Sequence, residues 1–211
     1  MKPLFRILCI NIALFGAAVA GNTQELLTFD DIPAGGGLGP NPAVSNGYGG
    51  LIWNNFGVID GLKTSPTYGY YTGVVSSPNV AFNFFGSPAS LGVSSGLFNL
   101  ESAYLTSALS SVPNLNIEVQ GLVGTTKKFD NTYTVNNGGP TRINFDYIGI
   151  ESAKFISGGE EFAMDNLVVS IPEPSGTSLI LLSVALLVSL TAHRWAMKKT
   201  RRWLEAVSKF I

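Results

Sequence analysis

The sequence is almost devoid of cysteine and histidine. Cys9 is the only cysteine of the 211 residues and His193 the only histidine, and each lies in an apolar terminal segment. The region between them therefore lacks the residues of a disulfide framework, a Ser-His-Asp triad, a Cys-His pair or a histidine-ligated zinc site. A carboxylate-pair glycosidase is the one common hydrolase left, since it needs only two acids. No spacing singles out such a pair, so we expect a non-catalytic protein.

Basic side chains are scarce in residues 21–171. This region carries five lysines and arginines against twelve acids, a net charge of -7, although the whole chain has -1. An acidic surface argues against nucleic acid as a partner, because phosphates are bound by Lys and Arg. We expect no nucleic-acid partner.

Residues 1–20 predict a secretory signal peptide. Lys2 and Arg6 give a positive start, an apolar stretch follows, and Ala18-Val19-Ala20 is a small-x-small cleavage site. The apolar stretch is short for a membrane helix. We expect signal peptidase to cleave after Ala20 and residues 21–171 to form an exported domain.

Short alternating segments separated by turns predict an all-β domain in residues 21–171. Residues 115–120 alternate strictly between apolar and polar, as in a half-buried strand. No stretch of the domain shows a sustained helical period, and such short strands favour a β-sandwich of the jelly-roll kind. Residues 33–50, rich in glycine and proline, predict a surface loop. The other strand candidates are residues 26–29, 51–53, 80–84, 97–100, 103–106, 133–135, 142–150, 154–156 and 167–171.

The end of the domain contains a turn and a parity change. Ser157-Gly158-Gly159-Glu160 predicts a hairpin between strands at 154–156 and 162–171. In the second strand the apolar residues fall on even positions up to Met164 and on odd positions from Leu167 onward. An extra residue, a β-bulge near Asp165-Asn166, is needed to keep both sets on the core face.

Acidic and amide side chains occur next to the first predicted strand and within the last one: Asp30 and Asp31 follow residues 26–29, and Asp165 and Asn166 lie within residues 162–171. If these strands are neighbours, Asp30, Asp31, Asp165 and Asn166 converge near one sheet edge, and hard oxygen ligands in that number suit a structural calcium ion. The alternative is that the aspartates cap a turn and Asn166 occupies the bulge. No DxDxDG-type loop is present.

Aromatic residues form a second candidate site. The side chains of five aromatic residues can stack on sugar rings, which would make extracellular polysaccharide a partner. These residues are Tyr48, Trp53, Tyr68, Tyr70 and Tyr71. For Trp53 the surrounding apolar residues favour core packing. The tyrosines of residues 68–71 are better placed than Trp53 for surface contact, and packing at the edge of the core is an equal alternative for them.

Residues 172–211 predict a membrane-inserted tail. Pro172 and Pro174 bracket Glu173 and keep the chain extended, and an apolar helix of about residues 175–193 is long enough to cross a bilayer. A basic flank, residues 194–211, follows, so the positive-inside rule places it in the cytoplasm and the domain outside. The basic residues next to the helix are Arg194, Lys198, Lys199, Arg201 and Arg202.

The motif Pro172-Glu173-Pro174-Ser175, followed by an apolar helix and a basic cluster, resembles the PEP-CTERM sorting signal of Gram-negative and related bacteria. The resemblance implies processing by an exosortase, an inner-membrane intermediate, and a final location at the cell surface or in a biofilm matrix. The alternative is a proline-containing spacer before an ordinary membrane anchor. The domain also resembles uncharacterised exported β-sandwich domains found ahead of such tails. That second resemblance is carried by Thr28-Phe29-Asp30-Asp31 and by residues 48–56 and 162–167, and it implies no known activity.

These features lead to three functional hypotheses. The first is a structural or adhesive, non-catalytic component of the envelope or biofilm matrix. The alternative is a carbohydrate-binding module with a structural calcium ion. The remote alternative is a carboxylate-pair glycosidase.

Overall fold

The computed structural model describes residues 22–37 and 39–172, so the predicted signal peptide and the predicted tail beyond Pro172 lie outside the described residues. Within the described part, no helix is long and apolar enough to cross a membrane. This part forms strands, one single-turn α-helix, α1 (Gly69–Thr72), and three short 3-10 turns (Tyr48–Gly50, Gly61–Lys63 and Phe84–Gly86). The strands are β1 (Asn22–Leu27), β2 (Ile52–Asn54), β3 (Phe56–Asp60), β4 (Asn79–Asn83), β5 (Ala89–Gly92), β6 (Phe98–Ser107), β7 (Asn114–Val123), β8 (Thr126–Asn136), β9 (Thr141–Ile150), β10 (Ser152–Ile156) and β11 (Phe162–Pro172).

The strands form two sheets. One has the order β3-β4-β11-β6-β9, with β1 also paired to β11, and the other has the order β2-β5-β10-β7-β8. Large apolar side chains from both sheets meet in one core between them. The predicted all-β sandwich is therefore confirmed.

The last strand carries the predicted irregularity. The register of β11 against β6 shifts between Asp165 and Val168, and Asn166 has a φ of 50°. The extra residue keeps both Met164 and Leu167 in the core, although they differ in parity. The β-bulge is confirmed, and so is the expected pairing of the first and last strands.

The turn Ser157-Gly158-Gly159-Glu160 is not a hairpin, which corrects the prediction. The strand before it belongs to the five-stranded sheet and the strand after it to the six-stranded sheet. Phe155 and Phe162, on either side of the turn, both pack in the core with ring centroids 5.8 Å apart. The two strands therefore face each other across the sandwich instead of pairing.

Phe155 lies at the centre of the core. Its ring meets Phe56 of β3 at 5.8 Å and Phe145 of β9 at 6.1 Å, both nearly edge-on. Each such aromatic pair contributes about 0.5–1.5 kcal/mol beyond its buried area. These contacts join three strands of opposing sheets.

A second apolar layer covers part of the outer face of the six-stranded sheet. Every residue of β3 and β4 is buried, because both faces of these two strands are covered. Helix α1 supplies part of the cover through Tyr70. The members of this outer layer are Ile59, Tyr70, Val80, Phe82, Ala108 and Ala163.

The glycine-rich loop of residues 33–50 runs beside β3. The Val44 N–H donates to the Phe56 carbonyl at 2.9 Å, and the Val58 N–H donates to the Pro42 carbonyl at 2.9 Å. The loop thus satisfies the outer edge of a strand that would otherwise present unpaired backbone groups.

Candidate ligand-binding pocket

A cavity of about 320 Å³ opens beside the outer layer of the six-stranded sheet. Its volume lies near the lower end of the range for small-molecule sites, about 300–1,000 Å³. The lining combines strand residues with two turns, at residues 84–86 and 157–161. The lining side chains used below are Ile59, Tyr70, Phe82, Phe84, Phe85 and Glu161, and residues 39–41 complete the wall.

Four aromatic rings form a continuous row along the pocket. Tyr70 meets Phe82 edge-on at 5.6 Å, Phe82 meets Phe84 edge-on at 5.0 Å, and Phe84 meets Phe85 at 6.0 Å. The row runs from a side chain that is 1% exposed, Tyr70, to one that is 87% exposed, Phe85. The Tyr70 end of the row is therefore buried in the fold, and the Phe85 end is exposed to solvent.

Gly57 makes room for the middle of the row. It pairs with Phe82 across the β3–β4 ladder. A Cβ atom at this position would lie 2.5 Å from the Phe84 ring and 2.8 Å from the Phe82 ring. The two rings therefore lie over the backbone of Gly57, which only glycine permits without a shift of one ring.

The carboxylate of Glu161 stands at the aromatic row and accepts two hydrogen bonds. The hydroxyl of Tyr70 donates to Oε2, and the backbone N–H of Phe85 donates to Oε1 at 3.0 Å. Burial and the adjacent Glu161 carboxylate raise the pKa of Tyr70 far above its usual value, so its hydroxyl stays a neutral donor. Each carboxylate oxygen keeps lone-pair capacity for a further donor.

Asn83 forms hydrogen bonds to both turns of the pocket, the turn that carries Phe85 and the turn that carries Glu161. Its side chain is fully buried, and its amide nitrogen lies 3.1 Å from the Ser87 carbonyl and 3.2 Å from the Glu160 carbonyl. Its Oδ1 accepts the Phe162 N–H at 2.8 Å. One amide thus fixes the 84–86 turn against the 157–161 turn.

Phe85 combines two unfavourable features. Its φ of 57° lies in the left-handed region, which costs a residue with a Cβ about 1–2 kcal/mol. Its ring is 87% exposed, so little burial offsets that strain. Strain and exposure at one residue are typical of a functional position.

The predicted tyrosines of residues 68–71 lie in three different environments. Tyr70 follows the packing alternative: it is buried, its ring packs on Phe82 and its hydroxyl donates to Glu161. Tyr68 is half-buried beside it, with ring centroids 6.4 Å apart, and Tyr71 is exposed. Of these three, Tyr70 alone lines the pocket.

Trp53 lies in the main core, 6% exposed, where the sequence favoured it. Its ring meets Phe56 edge-on at 5.3 Å, and its indole N–H donates to the Tyr48 carbonyl at 2.9 Å. Trp53 is absent from the pocket lining, so it packs the fold that carries the site.

Three of the four residues predicted for calcium form hydrogen bonds to one segment, residues 75–79: Asp165 and Asn166 at its start and Asp30 at its end. The Asp165 carboxylate accepts the Val75 N–H at 2.7 Å and the Ser76 N–H at 2.9 Å, and Asn166 Oδ1 accepts the Ser76 hydroxyl at 2.8 Å. Burial raises the pKa of the Asp165 carboxyl, although these donors favour its ionised form. Both residues thus act as acceptors that hold the segment's first end.

The two other predicted ligands have different partners. Asp30 Oδ1 accepts the Asn79 N–H at 2.9 Å, and Asp31 Oδ1 accepts the Tyr48 hydroxyl at 2.9 Å. Within residues 22–37 and 39–172, the structure brings together no group of three or more His, Cys, Asp or Glu residues that could hold a metal ion. The calcium ion stays a prediction.

Sequence patterns alone did not select Phe82, Phe84, Phe85 or Glu161. A signal for three of them was present in Phe82-Asn83-Phe84-Phe85-Gly86, where adjacent aromatics precede a turn glycine. Glu161 gave no such signal, because its partners lie 76 and 91 residues away along the chain.

No protein-family model matches the chain, and no curated protein matches it. Solved structures resemble it at low identity. The CBM22-1 xylan-binding domain of Paenibacillus barcinonensis Xyn10C is 8% identical with a TM-score of 0.42, covering 75% of this chain and 99% of that one. The K2 cleaved adhesin domain of Lys-gingipain is 11% identical with a TM-score of 0.39, covering 71% and 98%.

An arabinose-bound α-L-arabinofuranosidase, MgGH51, resembles the chain at 14% identity with a TM-score of 0.44. The match covers 71% of this chain, which spans only 27% of the arabinofuranosidase.

Proposed function

We propose that this chain is a non-catalytic carbohydrate-binding module whose site is the pocket at Phe85 and Glu161. The observation that carries the proposal is Phe85, an exposed aromatic ring held in a left-handed backbone beside a carboxylate. Sugar rings present apolar faces, which aromatic rings cover, and hydroxyl groups, which carboxylates accept. A mostly apolar cleft with few polar groups is the usual form of a small-molecule site.

The outer face of the five-stranded sheet is a less suitable place for a sugar. Its central row crosses all five strands with polar side chains and contains no aromatic ring. Neighbouring strands align these residues directly, and each of them is exposed or half-buried. The row consists of Asn54, Ser90, Lys154, Gln120 and Asp130.

The absence of catalysis is part of the proposal. Glycoside hydrolysis needs two carboxyl groups on opposite sides of the scissile bond. The pocket lining contains one, Glu161, and both of its oxygens already accept hydrogen bonds from Tyr70 and Phe85. A single anchored carboxylate suits binding better than acid–base chemistry.

The proposed module is a jelly roll. Without β1, β2 and β3, the strand orders are β4-β11-β6-β9 and β5-β10-β7-β8. From β4 to β11, successive strands lie in opposite sheets except β7 and β8, which form a hairpin in one sheet. This is the jelly-roll order of two nested Greek keys. This topology supports the assignment.

We further propose export and sorting by the tail. The support is the sequence alone: a signal peptide ending at Ala20, the Pro172-Glu173-Pro174 motif, an apolar helix and a basic flank. Signal peptidase, the membrane and an exosortase-type enzyme are the implied partners. A location at the cell surface or in the matrix would place the pocket beside extracellular polysaccharide.

The first hypothesis from the sequence was a structural or adhesive role without a defined ligand. Such a role would not use the pocket. Strain at an exposed ring favours a binding role, since a purely structural surface gains nothing from it. The carbohydrate-binding alternative is therefore the function we propose.

Glycan binding by the purified full-length chain tests the proposal. On a glycan array, wild type binds at least one polysaccharide class, and Phe85→Ala loses that binding. Ile148→Ala is the matched control, since Ile148 is also a large exposed apolar residue, at 63%, and lies on β9 outside the pocket lining. Absence of binding to every glycan, or equal loss in both variants, contradicts the proposal.

A further inference from the structure

The charge of the pocket is negative and has no counterion within the described residues. Glu161 accepts hydrogen bonds from a phenol and a backbone amide, both of which are neutral donors. The ion pairs within residues 22–37 and 39–172 are Lys63–Asp60 and Lys127–Asp130, so Glu161 takes part in neither. A carboxylate in this setting still attracts a positive charge.

The basic residues of the described chain have other positions. Lys128 donates to the Ile148 carbonyl at 2.8 Å, and Arg142 and Lys154 lie on exposed positions of β9 and β10. No lysine or arginine belongs to the pocket lining. Among residues 22–37 and 39–172, therefore, no positive group complements Glu161, and a cationic ligand would supply one.

The aromatic row adds a second attraction for a cation. Aromatic faces carry negative charge density, and a cation within about 6 Å of a ring centroid gains about 0.5–2 kcal/mol. Phe85 presents its ring to solvent while its own N–H contacts Glu161 Oε1 at 3.0 Å. A protonated amine at this place can reach both a ring face and a carboxylate oxygen.

The geometry points to a protonated amino sugar as the ligand: a polysaccharide whose units carry free amines is bound through the amine at Glu161 and Phe85. This inference rests on the proposed carbohydrate-binding function and narrows its ligand class. A neutral hydroxyl would use the same carboxylate without using its charge. An N-acetyl group would bury a neutral amide where the pocket offers a negative charge.

Calorimetric titration of the full-length chain with two oligosaccharides tests the inference. The probes are a glucosamine hexamer with free amines and the same hexamer fully N-acetylated. The titration is run at pH 5, because the ring oxygens make a sugar amine less basic than a lysine amine, and a glutamate of ordinary pKa, about 4.3, is still ionised there. We expect wild type to bind the free-amine hexamer about tenfold tighter, the effect of one charge-assisted hydrogen bond. That preference should shrink at high salt, because the pocket is open to solvent screening.

Paired variants separate the pocket charge from the overall charge. Glu161→Gln removes the charge at the site, and Glu160→Gln removes the same charge one residue away, outside the lining. We expect Glu161→Gln to bring the preference below about twofold and Glu160→Gln to leave it near the wild-type value. Equal effects of the two variants would overturn the inference.

The failures of the inference and of the proposed function are distinguishable. Wild type that binds both hexamers equally, or another neutral glycan instead, overturns the amine inference and leaves carbohydrate binding in place. Wild type that binds no glycan overturns both. If Glu161→Gln fails to fold, wild type alone still tests the inference. Its preference for the free-amine hexamer over the N-acetylated one should fall as salt is added, and a preference that does not fall contradicts an ionic contact.

Discussion

The hydroxyl of Tyr70 donates a hydrogen bond to the carboxylate of Glu161, 91 residues further along the chain. This bond joins a one-turn helix on the outer face of one sheet to the turn that crosses between the sheets. It fixes a carboxylate at the inner end of an aromatic row whose outer end is solvent-exposed. The pocket therefore depends on contacts that only the folded chain brings together.

Tyr70→Phe tests that bond directly. The ring packing stays, but the donor to Glu161 is lost, so we expect the free energy of unfolding in urea to fall by about 1 kcal/mol. Tyr71→Phe on the same helix is the control, because Tyr71 is exposed and lies outside the lining. A change below about 0.3 kcal/mol in Tyr70→Phe would show that the bond contributes nothing.

The same variant changes the response to alkaline pH. The pKa of Tyr70 is raised in the fold, mainly by burial, above its usual 10.0. A raised pKa means that stability is fully present below pH 10 and is lost as pH rises through the folded value. We expect Tyr70→Phe to lose less stability above pH 10 than wild type, in urea titrations at several pH values. Because Tyr48 and Tyr133 also have raised pKa values, part of the loss remains.

Phe85→Gly separates binding from stability. Glycine adopts the left-handed φ without strain, which gains about 1–2 kcal/mol, while its greater freedom in the unfolded chain costs about 0.5–1 kcal/mol. We expect the melting temperature to stay level or to rise, and glycan binding to disappear. A loss of more than about 1 kcal/mol would mean that the ring supports the fold, contrary to its assignment to ligand.

Asn83→Ala tests the frame of the pocket. The substitution leaves the buried Phe162 N–H without its acceptor, so we expect the free energy of unfolding to fall by about 1–3 kcal/mol. The Ser87 and Glu160 carbonyls keep other donors, the Asn55 amide and the Ser157 hydroxyl. Asn116→Ala is the control, since Asn116 is exposed and accepts only the Thr134 hydroxyl at 2.7 Å. Urea unfolding of both variants provides the measurement, and equal losses would speak against a special role of Asn83.

The sequence predicted strands best where one face of the strand is buried and the other is exposed to solvent. Residues 115–120 alternate strictly, and they lie within β7 as predicted. The parity change in β11 predicted its bulge for the same reason. In both cases the physical signal is local, because the two faces of a single strand differ in environment.

The sequence did not predict strands and contacts that depend on residues far away along the chain. β3 is buried on both faces, so it shows no alternation, and β5 reads Ala-Ser-Leu-Gly, which has weak strand propensity. The turn at residues 157–160 resembles a hairpin locally, and the packing of Phe155 on Phe162 determines that it crosses between sheets. The pocket was missed for the same reason, since its wall combines five separate parts of the chain.

The sorting proposal predicts a shortened mature protein. Mass spectrometry of the protein from its native host should show an N-terminus at Gly21 and a C-terminus near Pro174, because both termini carry cleavage signals. Pro172→Ala combined with Pro174→Ala should retain the tail, as the extended recognition segment is lost. A mature protein ending at Ile211 would contradict processing.

The position of a bound sugar on the protein shows whether the pocket at Phe85 and Glu161 is the binding site. Amide chemical shifts of the isotope-labelled full-length chain, followed during titration with the glycan that binds best, report that location residue by residue. We predict the largest changes at Phe84, Phe85 and Glu161, with little change at Lys154 and Gln120 on the outer face of the five-stranded sheet. Shifts concentrated on that sheet face, with Phe85 and Glu161 unchanged, would contradict the account.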